Sequence, residues 1–147
     1  MGVRMLRTAY TVRDMDRSLH FYRDLLGLRV VRDKVRMGPS YDTLLGIENV
    51  RLRVVLLEDG SSGNLLELVQ FIEPRAHDHV PRENEIGGST VCFVVDDLSE
   101  LHGRLQRGDV ESRSEPAEFV QEGRSVGRIV TAFDPDRIPV VLLEKMP

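Results

Sequence analysis

The feature that most constrains the fold is an internal repeat. The stretch RTAYTVRDMDRSLHFYRDLLGL, residues 7–28, and the stretch TVCFVVDDLSELHGRLQRGDV, residues 90–110, share one layout. In each, a run rich in β-branched and aromatic residues leads to an aspartate, then to apolar residues at helical spacing, then to glycine. Overlaid, Arg7 matches Thr90, Tyr10 matches Phe93, Val12 matches Val95 and Asp14 matches Asp97. Asp14 and Asp97 stand where helix N-caps belong, and Glu100 completes a capping-box spacing after Asp97. Met15, Leu19, Tyr22 and Leu26 form the first helical stripe; Leu98, Leu101 and Leu105 form the second. Gly27 and Gly108 are the expected stops.

The halves also end alike. After the first helix come the strand-like pieces LRVVRD, VRLRVVLLED and NLLELVQF; after the second come a piece near Val110, then GRIVTAFDP and IPVVLLEK. Each half therefore reads βαβββ, an α+β arrangement in two tandem modules, residues 1–74 and 89–147. Residues 75–88, polar and bounded by Pro74 and a pair of glycines, read as the linker. Neither half alone would bury a large core, so the two are expected to pair within one domain. GRSVG, residues 123–127, lacks the setting and spacing of a phosphate loop and reads as a turn. The segment with Met37, Tyr41, Leu44 and Leu45 reads as a short packed helix, or as a cover for a binding site.

Composition removes several classes of function. Net charge is -4 with the charged residues interspersed and no basic run, so nucleic acid is not an expected partner. No apolar run is long enough to span a bilayer and no secretory apolar region opens the chain, so no membrane partner and a cytoplasmic location are expected. Cys92 is the only cysteine, which excludes an internal disulfide and a cysteine-based metal cluster.

The repeated βαβββ unit, opened by VRDMDRSLHFYRDLLGLRVV, resembles the vicinal oxygen chelate superfamily, which includes glyoxalase I, methylmalonyl-CoA epimerase, extradiol dioxygenases and the fosfomycin- and bleomycin-resistance proteins. LLGIENVRLRVVLLED, LLELVQF, VCFVVDDLSEL and DPDRIPVVLLE carry the same resemblance, which covers residues 6–144. It implies a curved, cup-shaped mixed sheet with the helices outside, and a homodimer. In the enzymes of that superfamily a divalent metal sits on the cup floor, held by His from the first strand of each half and Glu from the last. Such a metal, with open coordination sites, binds two substrate oxygens and stabilises an enediolate or similar oxyanion.

The four corresponding positions here are Arg7, Glu67, Thr90 and Val141. Glu67 fits; guanidinium is donor-only and stays protonated, and valine has no donor. No shift of register brings a histidine into the first strands. His20 and His102 fall on helices, where solvent-facing positions are expected, and His77 and His79 lie in the linker. No cofactor is therefore expected, a divalent metal held by unfamiliar ligands being the disfavoured alternative.

Residues two apart on a strand share a face, which adds Ala9 and Thr11 to Arg7 and adds Cys92 and Val94 to Thr90. Tyr10 falls on the opposite face, between sheet and helix. The expected ligand-binding residues are Arg7, Thr11, Glu67, Thr90, Cys92 and Val141, a largely small and apolar lining with one polar anchor. Arg7 and Glu67 are expected to meet, either as a structural ion pair or with Arg7 held available to a ligand oxyanion. Cys92 has no histidine placed near it and reads as packing. The leading function is metal-independent binding of a small, partly apolar molecule. The alternatives are a lyase, isomerase or epimerase acting through an enolate-like intermediate, with Glu67 as catalytic base, and a degenerate structural or regulatory member.

Overall fold

A computed structural model describes residues 2–147, which divide into two compact units between Asp78 and His79. The first contains β1 (Thr8–Thr11), α1 (Met15–Leu19) continued by a π-helical stretch (His20–Leu25), β2 (Arg29–Met37), α2 (Pro39–Leu45), β3 (Arg51–Glu58) and β4 (Leu65–Glu73). Its sheet has the order β1-β4-β3-β2, with β1 parallel to β4 and the other pairs antiparallel. The second contains β5 (Val91–Val94), α3 (Leu98–Arg107), β6 (Ala117–Gln121), β7 (Arg124–Phe133) and β8 (Pro139–Lys145). Its order, β5-β8-β7-β6 with β5 parallel to β8, repeats the first. The fold is α+β, two βαβββ modules each built on a four-stranded mixed sheet.

The repeat extends to single hydrogen bonds. Asp14 caps α1 by accepting from the Arg17 N–H at 3.1 Å, and Asp97 caps α3 by accepting from the Glu100 N–H at 2.9 Å. A side chain of each last strand reaches the first helical N–H: Gln70 accepts from Met15 at 2.7 Å, and Glu144 from Leu98 at 2.7 Å. Each helix start is thus tied to the strand that pairs with the strand before it, satisfying donors that have no partner within the helix.

In each module the core lies between helix and sheet. Val55, Leu57, Leu66 and Leu68 form the buried sheet face in the first, Val130, Ala132, Val140 and Leu142 in the second. On the helix side of the first sheet, Arg53 bridges Asp16 and Asp33 at 2.8 Å each. The Arg53 hydrogen bond holds the Asp33 carboxyl below its ordinary pKa, and the two aspartates raise that of Arg53.

Several expectations need correction. The first stripe is not α-helical throughout: Leu26 N–H bonds to Phe21 C=O at 3.0 Å, one residue beyond the α-helical pattern. That wider turn lets adjacent Phe21 and Tyr22 both enter the core, while Leu26 is only half-buried. The strand expected near Val110 is displaced. Residues 110–116 make only an isolated bridge, Ser112 to Ala132, and β6 begins after Pro116. GRSVG is not simply a turn: Glu122 and Gly123, both at positive φ, form the hairpin turn, and Arg124–Gly127 open β7. His102 is buried, not solvent-facing, because it completes the stripe of Leu98, Leu101 and Leu105; its Nδ1 lies 3.7 Å from the Glu115 carboxylate. The short helix over residues 39–45 is present but not packed, with no buried residue and Leu44 exposed.

Candidate functional site

Strand alternation and register define the face of the first sheet that points away from α1. Ala9 lies beside Glu67 and Leu56, Thr11 beside Val69 and Val54, and Phe71 beside Leu52. Arg7, two residues before Ala9, shares this face, and its Nε lies 2.6 Å from Glu67 Oε2. Glu67 is nearly buried, with 12% of its side chain exposed, whereas Arg7 is 36% exposed. The carboxylate is thus held in a largely desolvated position by a guanidinium whose remaining edge reaches solvent. A charge-assisted bond of this length is among the stronger polar contacts a protein makes. Thr11, four residues beyond Arg7 on the same strand face, is exposed.

In the second module Cys92 and Val141 are register partners between β5 and β8, the positions equivalent to Ala9 and Glu67. Thr90 lies just before β5, as Arg7 lies just before β1. Thr90 and Cys92 are exposed and Val141 is half-buried. Desolvation by its neighbours raises the Cys92 thiol above its ordinary pKa, which disfavours the thiolate a nucleophile would need. Thr131 and Ile129 continue the same face beside Val141 and Leu143, with Lys145 beyond them opposite Gly127, so this surface is apolar with hydroxyls and one lysine and, among the described residues, carries no ion pair like that of the first module.

The geometry brings together Arg7 and Glu67, with Thr11 close by, and separately Cys92 and Val141 with Thr90. Of the four positions matching the superfamily's ligand set, Glu67 alone carries a group that binds divalent metals, and Arg7 occupies it. A cation there would meet the fixed positive charge of Arg7, so these residues do not fit the superfamily's metal. Among the described residues no group of three or more His, Cys, Asp and Glu is gathered so as to hold a metal ion. His20 is exposed beside Asp24 at 3.3 Å, His77 and His79 are exposed, and the Asp78 between them pairs with Arg13.

One set of residues on this face was not anticipated. β2 places Arg32, Lys34 and Arg36 opposite Leu56, Val54 and Leu52 respectively. The signal in the sequence is the alternation of basic residues in RDKVR, residues 32–36.

A duplicated βαβββ unit, each copy with its first strand parallel to its last, defines a vicinal-oxygen-chelate type of architecture. The sequence matches the Glyoxalase/Bleomycin resistance protein/Dioxygenase superfamily over residues 4–142, and the chain belongs to that superfamily. No curated protein matches the sequence. A glyoxalase family protein from Bacillus cereus is similar in structure with a TM-score of 0.87 and 19% identity, over 100% of this chain and 97% of that one. The trypanothione-dependent glyoxalase I of Leishmania major is 27% identical with a TM-score of 0.66, over 97% of this chain and 87% of that one. TnmS3, an antibiotic binding protein from a Streptomyces species, has a TM-score of 0.63 at 17% identity, over 99% of both chains. No helix of the described residues is long and apolar enough to cross a membrane.

Proposed function

We propose that this protein binds a small, partly apolar molecule without the metal of its superfamily's enzymes, and that Arg7 is the polar anchor. The observation that carries this reading is the contact of Arg7 Nε with Glu67 Oε2 at 2.6 Å. Glu67 engages one edge of the guanidinium and fixes its orientation. The terminal amino groups remain free to donate to a carboxylate, phosphate or enolate-type oxygen of a ligand. Val69, Val54 and Thr11 beside the pair suit an apolar or aromatic body. The same scaffold serves an antibiotic binding protein in TnmS3, a role of the kind proposed.

The test is a thermal-shift screen of small molecules on purified protein, repeated with EDTA. The reading expects at least one compound whose stabilisation survives the chelator and is lost in Arg7→Met. Stabilisation that disappears with EDTA and returns with a divalent metal would overturn it. A second reading follows from the same guanidinium: its fixed charge can hold an enolate-type oxygen with Glu67 as base, giving lyase, isomerase or epimerase activity. That reading requires product formation that Glu67→Gln abolishes, whereas simple binding gives stabilisation and no product.

A further inference from the structure

The sheet face bearing the Arg7–Glu67 pair is strongly positive, although the chain as a whole carries a net charge of -4. Arg29, Arg32, Lys34 and Arg36 all fall on this face of β2, whose register with β3 is broken once by a bulge between Val30 and Arg32. Arg29 is paired with Glu58, as Arg7 is with Glu67. Arg32, Lys34 and Arg36 have no carboxylate partner among the described residues. The acid of the same strand, Asp33, lies on the opposite face, where Arg53 binds it. Three uncompensated cations therefore stand in a row about 13 Å long on an edge strand. Like charges so arranged repel one another, and an anion laid along them removes that repulsion.

What lies beside the row gives it a chemical meaning. β4 and β3 separate it from Arg7, and there Val54, Val69 and Phe71 are half-buried and apolar. That band is about 10 Å across, two strand spacings. We infer that this face takes an amphiphilic anion, with an apolar or aromatic body on the Val54–Val69–Phe71 band and a carboxylate or phosphate group on Arg32, Lys34 and Arg36. The inference rests on the small-molecule reading above and supplies its ligand class. Charges on an edge strand also protect it from pairing with other chains. That role requires no apolar band beside them, and its loss shows as self-association with ligand affinity unaltered.

The experiment is a fluorescence titration of the full chain with 2-naphthoate, 2-naphthyl phosphate and neutral 2-naphthamide. At least one anion is expected to bind about tenfold more tightly than the amide. That preference should collapse in about 0.5 M NaCl, as expected for exposed charges. It should also fall severalfold in R32Q/K34Q/R36Q, the remainder being the share of Arg7, with amide affinity unchanged. Whether carboxylate or phosphate leads identifies the head group. Circular dichroism checks the fold of the triple variant; should it unfold, K34Q with the salt titration gives the same readout at reduced size. Equal affinity for anions and amide sinks the inference while leaving small-molecule binding intact. So does an anion preference that is undiminished in a folded triple variant, with or without self-association. Failure of all three probes to bind, together with no stabilisation in the thermal-shift screen, sinks both.

Discussion

Breaking the Arg7–Glu67 pair from one side should cost more than removing it whole. Arg7→Met leaves the Glu67 carboxylate, 12% exposed, without its cation. Losing one partner of a fully buried pair costs about 3–5 kcal/mol, and an exposed pair contributes about 0–1 kcal/mol. With Arg7 itself 36% exposed, an intermediate loss of about 2 kcal/mol is expected, a fall in Tm of roughly 6–8 °C for a chain of this size. Glu67→Leu leaves Arg7, which can turn toward water, and should cost about 1 kcal/mol. The double variant buries no unpaired charge and should lie within about 1 kcal/mol of the native protein. Urea unfolding followed by circular dichroism measures all four corners of this cycle. Coupling of roughly 2 kcal/mol is expected; losses that add to within about 0.5 kcal/mol would refute the pairing and remove the basis for treating Arg7 as an oriented anchor.

Gly127 sits at φ 150 with a Cβ position 2.1 Å from the Glu144 carbonyl oxygen, so Gly127→Ala should cost about 2–4 kcal/mol. Gly60→Ala, with open space around it, should change the urea midpoint little. Gln70→Ala and Glu144→Ala each remove the side chain that accepts from the first helical N–H, and should lower stability by similar amounts, about 1 kcal/mol, in chemical unfolding. The Asp33 carboxyl is held below its unfolded pKa by Arg53, so its contribution is present above the ordinary carboxylate range and is lost as pH falls through the lower folded value. Asp33→Asn should therefore lower Tm by a constant amount above that window and flatten the acid limb, the two Tm-versus-pH profiles converging at low pH. An unchanged acid limb would contradict the Asp33–Arg53 linkage.

The fold was legible wherever local chemistry and the repeat agreed. Asp14 and Asp97 announce the helix starts, and the strands flanking them follow from apolar alternation. Where competing signals met, the sequence misled. Val110 is apolar but follows the turn at Gly108 and Asp109, and Pro116 postpones the next strand to Ala117. His102 reads as polar surface, yet three leucines on its helix face carry it into the core. The π-helical turn leaves no distinctive residue and shows only in which neighbours are buried. Arg7 and Glu67 could be matched from the superfamily resemblance because each holds a fixed position relative to its strand, Arg7 just before β1 and Glu67 within β4. The basic row of Arg32, Lys34 and Arg36 was hidden because alternating charges on a strand read as a solvated face. Its meaning depends on the register that sets it beside Val54 and Val69.

A guanidinium in place of a metal next to Glu67 is what the proposed function requires. Elemental analysis of the protein, purified without chelator after expression with zinc, nickel, manganese and iron supplied, tests it most directly. Far less than one equivalent of any of these metals per chain is expected, with ligand-induced stabilisation equal before and after EDTA. One equivalent of metal per chain, displaced by substituting Glu67, would contradict the account.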